Sequence, residues 1–183
     1  MEKSVLDLAF AFTQVRSVYY QGEAIGYRGG LYNQNTELSF CAELYHQFRL
    51  IMSKDHSAYY RRTILQFDIN KQLSDHNIKP DLVLHNGQNN RSNQNLYVEV
   101  KTNPESSLNE DLSKIITAVD GDLQFRNAVI IVVNRDLNVT INEIRSYIRL
   151  NECRNIKGLF LFHSSLRGRN PSYTISNIEN VLR

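Results

Sequence analysis

The apolar positions of the chain alternate between a helical period and short runs of the kind typical of β-strands. Residues 4–20 and 36–54 are predicted helices, because apolar side chains recur on one stripe of each. Between them, residues 22–35 are predicted to form a loop whose four glycines supply turns. No lysine follows these glycines at the place that a phosphate-binding loop requires, so we interpret the glycines as residues that let the chain turn.

The second half of the chain alternates strands with helices. Strands are predicted near residues 63–69, 81–85, 95–102, 128–133 and 158–162, and helices near 108–119 and 140–152. The run Ala128–Val133 is apolar throughout, as expected of a central strand that is buried on both faces. A short C-terminal segment follows. The order predicts an α/β fold with a central mixed β-sheet flanked by helices.

Length and composition favour one compact domain over residues 1–183. With 183 residues, of which 42% are hydrophobic and 22% charged, the chain can bury a core without disulfides. We divide it into an N-terminal helix and glycine-rich loop (1–35), a core (36–163) and a C-terminal segment (164–183). Cys41 and Cys153, both expected on helices, suggest neither a disulfide framework nor a zinc site. With no signal sequence or membrane-spanning run, a cytoplasmic protein is expected.

Two predicted neighbouring strands carry charged side chains in a pattern that suggests metal chemistry. The first begins Lys79-Pro80-Asp81, and the second contains Glu99-Val100-Lys101. Successive side chains of a strand alternate between faces, so Glu99 and Lys101 share one face. If the strands pair antiparallel, Asp81 lies across from Glu99. Magnesium prefers oxygen ligands and is commonly held by one or two carboxylates, to which the Val100 carbonyl could add a third protein oxygen. Lys101 would then orient water or a phosphate.

These residues resemble the PD-(D/E)xK nuclease superfamily, which includes restriction endonucleases and Holliday junction resolvases. Pro80-Asp81 and Glu99-Val100-Lys101 match its two central elements, and the two acidic positions are 18 apart. The resemblance implies a restriction-endonuclease-like fold and hydrolysis of phosphodiester bonds in nucleic acid, with DNA as the expected substrate and Mg²⁺ or Mn²⁺ as the cofactor. Asp81, Glu99 and the carbonyl of Val100 would bind the metal, and Asp81, Glu99 and Lys101 would be catalytic.

The superfamily often adds an acidic residue from the helix before the sheet, and two glutamates are candidates. Glu37 and Glu43 are six positions apart, which places them about 120° apart around a helix, so they cannot both face one site. Glu37 lies in line with the apolar stripe, where a carboxylate is costly unless it reaches a metal, a donor or the helix end. This favours Glu37 as catalytic, with Glu43 as the alternative. A first-turn acid favoured by the helix dipole is an equal reading of Glu37.

The net charge of +2 requires any nucleic-acid-binding surface to be local. Two basic stretches could supply one, and they contain Arg61, Arg62, Arg167 and Arg169. Solvated arginines are an equal reading of both stretches. Because no separate recognition domain is evident, a homodimer or a partner protein would provide further contacts.

Other patterns leave two competing functions open. One is a non-catalytic nucleic-acid-binding or protein-interaction module on the same fold, and the other is an unrelated interaction protein whose Glu-x-Lys triplet is an exposed strand face. His85 shares the face of Asp81 and could touch a phosphate, although a satisfied strand-end histidine is the favoured reading. Asp111 and Lys114 are interpreted as a surface pair on a helix.

Overall fold

The computed structural model describes residues 1–19, 23–25, 31–33, 36–67, 71–72, 77–86, 94–121, 123–153, 156–167 and 170–183. Within these residues the helices are α1 (Lys3–Gln14), α2 (Thr36–Lys54), α3 (Asn109–Asp120), α4 (Leu137–Leu150) and α5 (Ile178–Leu182). The strands are β1 (Glu23–Ile25), β2 (Leu31–Asn33), β3 (Ile64–Phe67), β4 (Lys71–Gln72), β5 (Asn77–Ile78), β6 (Leu82–His85), β7 (Gln94–Lys101), β8 (Asn127–Val133), β9 (Leu159–Arg167) and β10 (Asn170–Asn177).

Six strands form one open mixed sheet in the order β10-β9-β8-β7-β6-β3. The three central strands β7, β8 and β9 are parallel, whereas β6 and β3 on one side and β10 on the other are antiparallel to their neighbours. Every residue of β8 is buried. This confirms the predicted α/β class with a mixed sheet, and it confirms β8 as the central buried strand.

Helices cover both faces of this sheet. On one face, α1 and α2 pack over the even-numbered side chains of β6 and β7, including Leu82, Val98 and Val100. On the other face, α3, α4 and α5 pack over Val83, Tyr97 and their neighbours. The side chains of Glu99 and Lys101 alternate with Val100 along β7 and therefore point to the α3 face.

Two predicted segments contain strands that the sequence patterns did not indicate. The loop predicted over residues 22–35 is wrong at 23–25 and 31–33, which pair antiparallel as β1 and β2, and the rest of that prediction lies outside the described residues. The C-terminal segment is a strand and a helix. β10 escaped prediction because its alternation is carried by half-buried Tyr173 and Ile175 among Ser, Thr and Asn, and their burial depends on pairing with β9.

Helix bounds follow local end signals. The predicted helix 36–54 is confirmed, whereas α1 ends at Gln14, before a short 3-10 turn at Ser17–Tyr19. α4 begins three residues earlier than predicted, because the Asp136 carboxylate accepts the N–H groups of Asn138 and Val139 as an N-cap.

Both cysteines are free thiols. Cys41 is buried on α2, and Cys153 lies past the end of α4 and outside the helix in which it was expected. No helix in the described part of the chain is long and apolar enough to cross a membrane.

Candidate active site at one end of the sheet

Asp81 stands immediately before β6, at the sheet end where β7 finishes. Leu82, the first residue of β6, pairs with Val98 in the antiparallel register. Asp81, one residue earlier, therefore lies beside Glu99. The Asp81 carboxylate accepts the backbone N–H of Val100 at 2.6 Å. The preceding Pro80 fits this strand start, because its ring supplies no N–H for the ladder. The antiparallel hairpin that the sequence predicted therefore exists, and it brings Asp81 next to the Glu-x-Lys triplet.

Glu99 is a buried carboxylate whose two oxygens have different partners. Its side chain is 2% exposed. The hydroxyl of Tyr97, two residues earlier on the same face, donates to one oxygen at 2.6 Å. The ammonium of Lys114, from α3, lies 3.3 Å from the other oxygen. A buried carboxylate requires such partners, because an unpaired charge in the interior is costly.

Lys101 ends β7 on the same face and pairs with the helix above it. Its ammonium lies 3.0 Å from Oδ2 of Asp111, which is 4% exposed. That oxygen makes no hydrogen bond of acceptable geometry, so the contact is an ion pair without good alignment. The second oxygen of Asp111 lies 3.6 Å from the Lys114 ammonium. Asp111 thus bridges the two lysines of the site.

Burial dominates the electrostatics of both strand carboxylates. It raises the pKa of Asp81 to about 6, despite the opposing hydrogen bond from Val100, and the carboxylate of Glu37 adds to the rise. Burial, followed by the charge of Asp81, raises the pKa of Glu99 to about 8. Tyr97 and Lys114 oppose that rise without cancelling it. Strongly shifted carboxylates of this kind are commonest at functional sites.

Both lysines of the site stay charged although burial disfavours their ammonium groups. Burial lowers the pKa of Lys101, but the contact with Asp111 and the charges of Glu37 and Asp81 together outweigh it, and the net shift is upward. For Lys114, burial is likewise outweighed by the charges of Glu99 and Asp111. When every acid is ionised, above about pH 8, Glu37, Asp81, Glu99 and Asp111 carry two more charges than the two lysines offset.

The two helix glutamates occupy different surroundings. Glu37 lies in the first turn of α2, and its charge acts on both Asp81 and Lys101. Glu43 instead accepts a hydrogen bond from Gln47 at 2.7 Å and lines an open pocket of about 500 Å³ beside Val18 and Tyr19. Glu37 is therefore the helix glutamate close to the strand carboxylates, and Glu43 is not part of this cluster.

The predicted basic contacts fall at opposite ends of the sheet. Arg61 and Arg62 are exposed in the turn before β3, whose first residue pairs with His85 at the far end of β6 from Asp81. That end is roughly 13 Å away along the strand. The backbone of Arg167, at the end of β9, lies at the same sheet end as Lys101. Arg169 lies outside the described residues.

His85 is buried, and its Nε2 lies 2.6 Å from Gln66 Oε1, which fits the satisfied strand-end histidine.

The interpretation of Asp111 and Lys114 as a surface pair is wrong. Asp111 is buried, and each residue contacts a charged side chain of β7. The reason is the rotation of α3, whose buried Leu112 and Ile115 face the sheet and carry their neighbours Asp111 and Lys114 over the end of β7. Tyr97 was also missed, although its even offset from Glu99 was a usable signal.

The donor set meets the requirements of a hard divalent cation. Asp81 and Glu99 offer carboxylate oxygens. The N–H and C=O of one strand residue point the same way, which directs the Val100 carbonyl to the side of Asp81. Within the described residues, no three His, Cys, Asp or Glu side chains converge as ligands. Magnesium retains waters and commonly uses only one or two carboxylates, so this pair is sufficient for it.

The arrangement combines two carboxylates with two lysine ammonium groups. The carboxylate oxygens can bind a cation, and each ammonium has three N–H groups that can donate to an anion. Carboxylates with raised pKa can also exchange protons near neutral pH. Comparisons of the chain with protein-family models, with curated proteins and with solved structures return no match.

Proposed function

We propose that the protein is a metal-dependent nuclease that hydrolyses phosphodiester bonds in nucleic acid, with DNA as the preferred substrate, on a restriction-endonuclease-like fold. The observation that carries this proposal is the meeting of Asp81, Glu99 and Lys101 at one end of the central sheet. The motif resemblance and the raised carboxylate pKa values support the same site independently.

Each residue has a role that follows from its position. Asp81, Glu99 and the carbonyl of Val100 would hold Mg²⁺ or Mn²⁺, which offsets phosphate charge and lowers the pKa of water when bound. Glu37 adds negative charge from α2 at the same place. Lys101 keeps its proton, and contact with Asp111 leaves donors to orient the attacking water or to bind a non-bridging phosphate oxygen.

The internal pairing of the charges supports a second candidate function. Lys101 pairs with Asp111 and Lys114 with Glu99, so these groups also hold α3 against the sheet end without any ligand. A non-catalytic module for binding nucleic acid or protein would need nothing more from them. The two candidates differ in whether the chain cleaves its ligand.

The test is cleavage of supercoiled plasmid, single-stranded DNA and RNA with Mg²⁺ or Mn²⁺. We expect Lys101→Ala to slow cleavage at least about a hundredfold, because the lysine is placed to stabilise charge in the transition state. Lys157→Ala is the matched control, since Lys157 is exposed just before β9 at the opposite sheet end. EDTA should abolish the activity of the wild type. Cleavage that is equal in Lys101→Ala would overturn the proposal, and binding without cleavage would favour the non-catalytic module.

A further inference from the structure

Lys114 is held loosely between three carboxylates. Its ammonium lies 3.3 Å from Glu99, 3.4 Å from Glu110 and 3.6 Å from Asp111. Well-aligned contacts between an ammonium and a carboxylate are about 2.7–2.9 Å, so none of the three is optimal. The side chain of Glu110 is 84% exposed and that of Glu99 only 2%. The ammonium therefore stands between a buried partner and an alternative partner at the surface.

The ionised form of Glu99 needs a cation, and Lys114 contacts this carboxylate. A charged carboxylate in the interior is stable only with a partner, because burial removes it from water. Lys114, on α3, supplies one positive charge at one oxygen of Glu99. The neighbouring carboxylate of Asp81 remains, and it bonds instead to the Val100 N–H. A divalent ion between Asp81 and Glu99 would neutralise both carboxylates, which one ammonium does not.

We propose that Lys114 is an internal cation that pairs with Glu99 and is displaced towards Glu110 when a divalent metal ion binds Asp81 and Glu99. This inference rests on the proposed metal-dependent function and adds a positioning residue to it. Metal and ammonium compete for the same carboxylate, so each weakens the binding of the other by the same factor. Lys114 thus sets the metal concentration at which the site fills.

The test is Mn²⁺ binding measured by calorimetry without nucleic acid. We expect Lys114→Met to bind Mn²⁺ about tenfold more tightly than the wild type, within the usual range of coupling between two ligands. Lys114→Gln should do the same while keeping a hydrogen-bond donor near Glu99, which guards against a variant that fails to fold. Lys114→Arg keeps the charge and should stay within about twofold of the wild type.

Two further variants separate competition from a general effect of charge and from failure of the site itself. Lys157→Met removes an exposed positive charge at the opposite end of the sheet, and we expect its effect to be below about threefold. Asp81→Asn should abolish binding in every background. If wild type binds Mn²⁺ through Asp81 but Lys114→Met and Lys114→Gln bind no tighter, the inference is wrong and the proposed metal site stands. If none of them binds, both fail.

A crystal structure with Mn²⁺ gives a second readout. In the structure, the Lys114 ammonium lies 3.3 Å from Glu99. With Mn²⁺ bound, that distance should exceed ion-pair range while the contact with Glu110 remains. A Lys114 ammonium that stays on Glu99 beside the metal would contradict displacement.

Discussion

Helix α3 lies between two carboxylates that differ in how well their partners satisfy them. At its start, Glu143 of α4 accepts the N–H of Leu108 at 2.6 Å and the hydroxyl of Ser107 at 2.9 Å, and it pairs with Arg135. Burial works against its charge, but these three donors outweigh burial and lower its pKa. Two turns later, Glu99 contacts Lys114, and its pKa is raised to about 8.

The difference separates a structural carboxylate from a functional candidate. Glu143 joins α4 to the first turn of α3, and each of its donors is local and well directed. Glu99 lies deeper, beside a second carboxylate, and its ammonium partner is shared with two other acids. Burial that donors do not offset leaves a free-energy deficit that a bound cation can relieve. We therefore expect the same substitution, glutamate to glutamine, to have opposite effects at Glu99 and at Glu143.

The largest expected contrast is in cleavage. Glu99→Gln should reduce metal-dependent cleavage at least about a thousandfold, which is about 4 kcal/mol, because it removes an anionic oxygen from the proposed metal site. Glu143→Gln removes the same charge about two turns away and should leave the rate within about threefold. Initial rates on plasmid with Mg²⁺ measure both. Equal losses in the two variants would mean that Glu99 acts through the position of α3 and not at the metal.

The strand residues of the candidate site could be predicted from the sequence for a physical reason. The alternation of side chains on β7 and the antiparallel turn to β6 are local, so Asp81, Glu99 and Lys101 could be brought together from the sequence. The central, buried position of β8 followed similarly from its unbroken apolar run.

The helix residues around Glu99 and Glu143 could not be predicted in the same way, because their positions depend on tertiary packing. Asp111 and Lys114 reach the site because α3 lies across β7 and β8 with a particular rotation, which an amphipathic pattern does not specify relative to another element. The hydrogen bond from the Leu108 N–H to Glu143 joins the start of α3 to α4 through residues that are 35 apart in sequence, and it likewise required the fold. Asp111 was interpreted as a surface acid because no residue near it in sequence indicates that it contacts Lys101 of β7.

The next contrast is in stability and its dependence on pH, measured by urea unfolding with EDTA present. Glu99 has a folded pKa of about 8, above the ordinary value of 4.5, so the folded state binds the additional proton. Its contribution to stability is fully present below pH 4.5 and is lost as pH rises through 8. Asp81 adds the same trend between 3.8 and about 6. At pH 8, Glu99→Gln should therefore raise the free energy of unfolding by about 1–2 kcal/mol.

Glu143 should behave in the opposite way. Its folded pKa is lowered, so its contribution is present above pH 4.5 and is lost as pH falls through the folded value. Glu143→Gln should lower the free energy of unfolding by about 1–2 kcal/mol at pH 8, because Arg135 and the Leu108 N–H lose a charged acceptor. A destabilised Glu99→Gln would show that Tyr97 and Lys114 satisfy Glu99 as fully as the donors of Glu143 satisfy their carboxylate.

The smallest contrast removes one hydroxyl donor from each carboxylate. The Tyr97 hydroxyl donates to Glu99 inside the protein, and that bond lowers the pKa that burial has raised. Tyr97→Phe should move the loss of stability with pH, again with EDTA present, upward by a fraction of a pH unit, because the charged form of Glu99 loses a donor. Ser107 is exposed, so Ser107→Ala should cost about 0.5–1 kcal/mol. It should leave the window near pH 8 unchanged, because Glu143 is already charged there. A shift caused by Ser107→Ala as large as that of Tyr97→Phe would mean that the pH response belongs to α3 as a whole and not to Glu99.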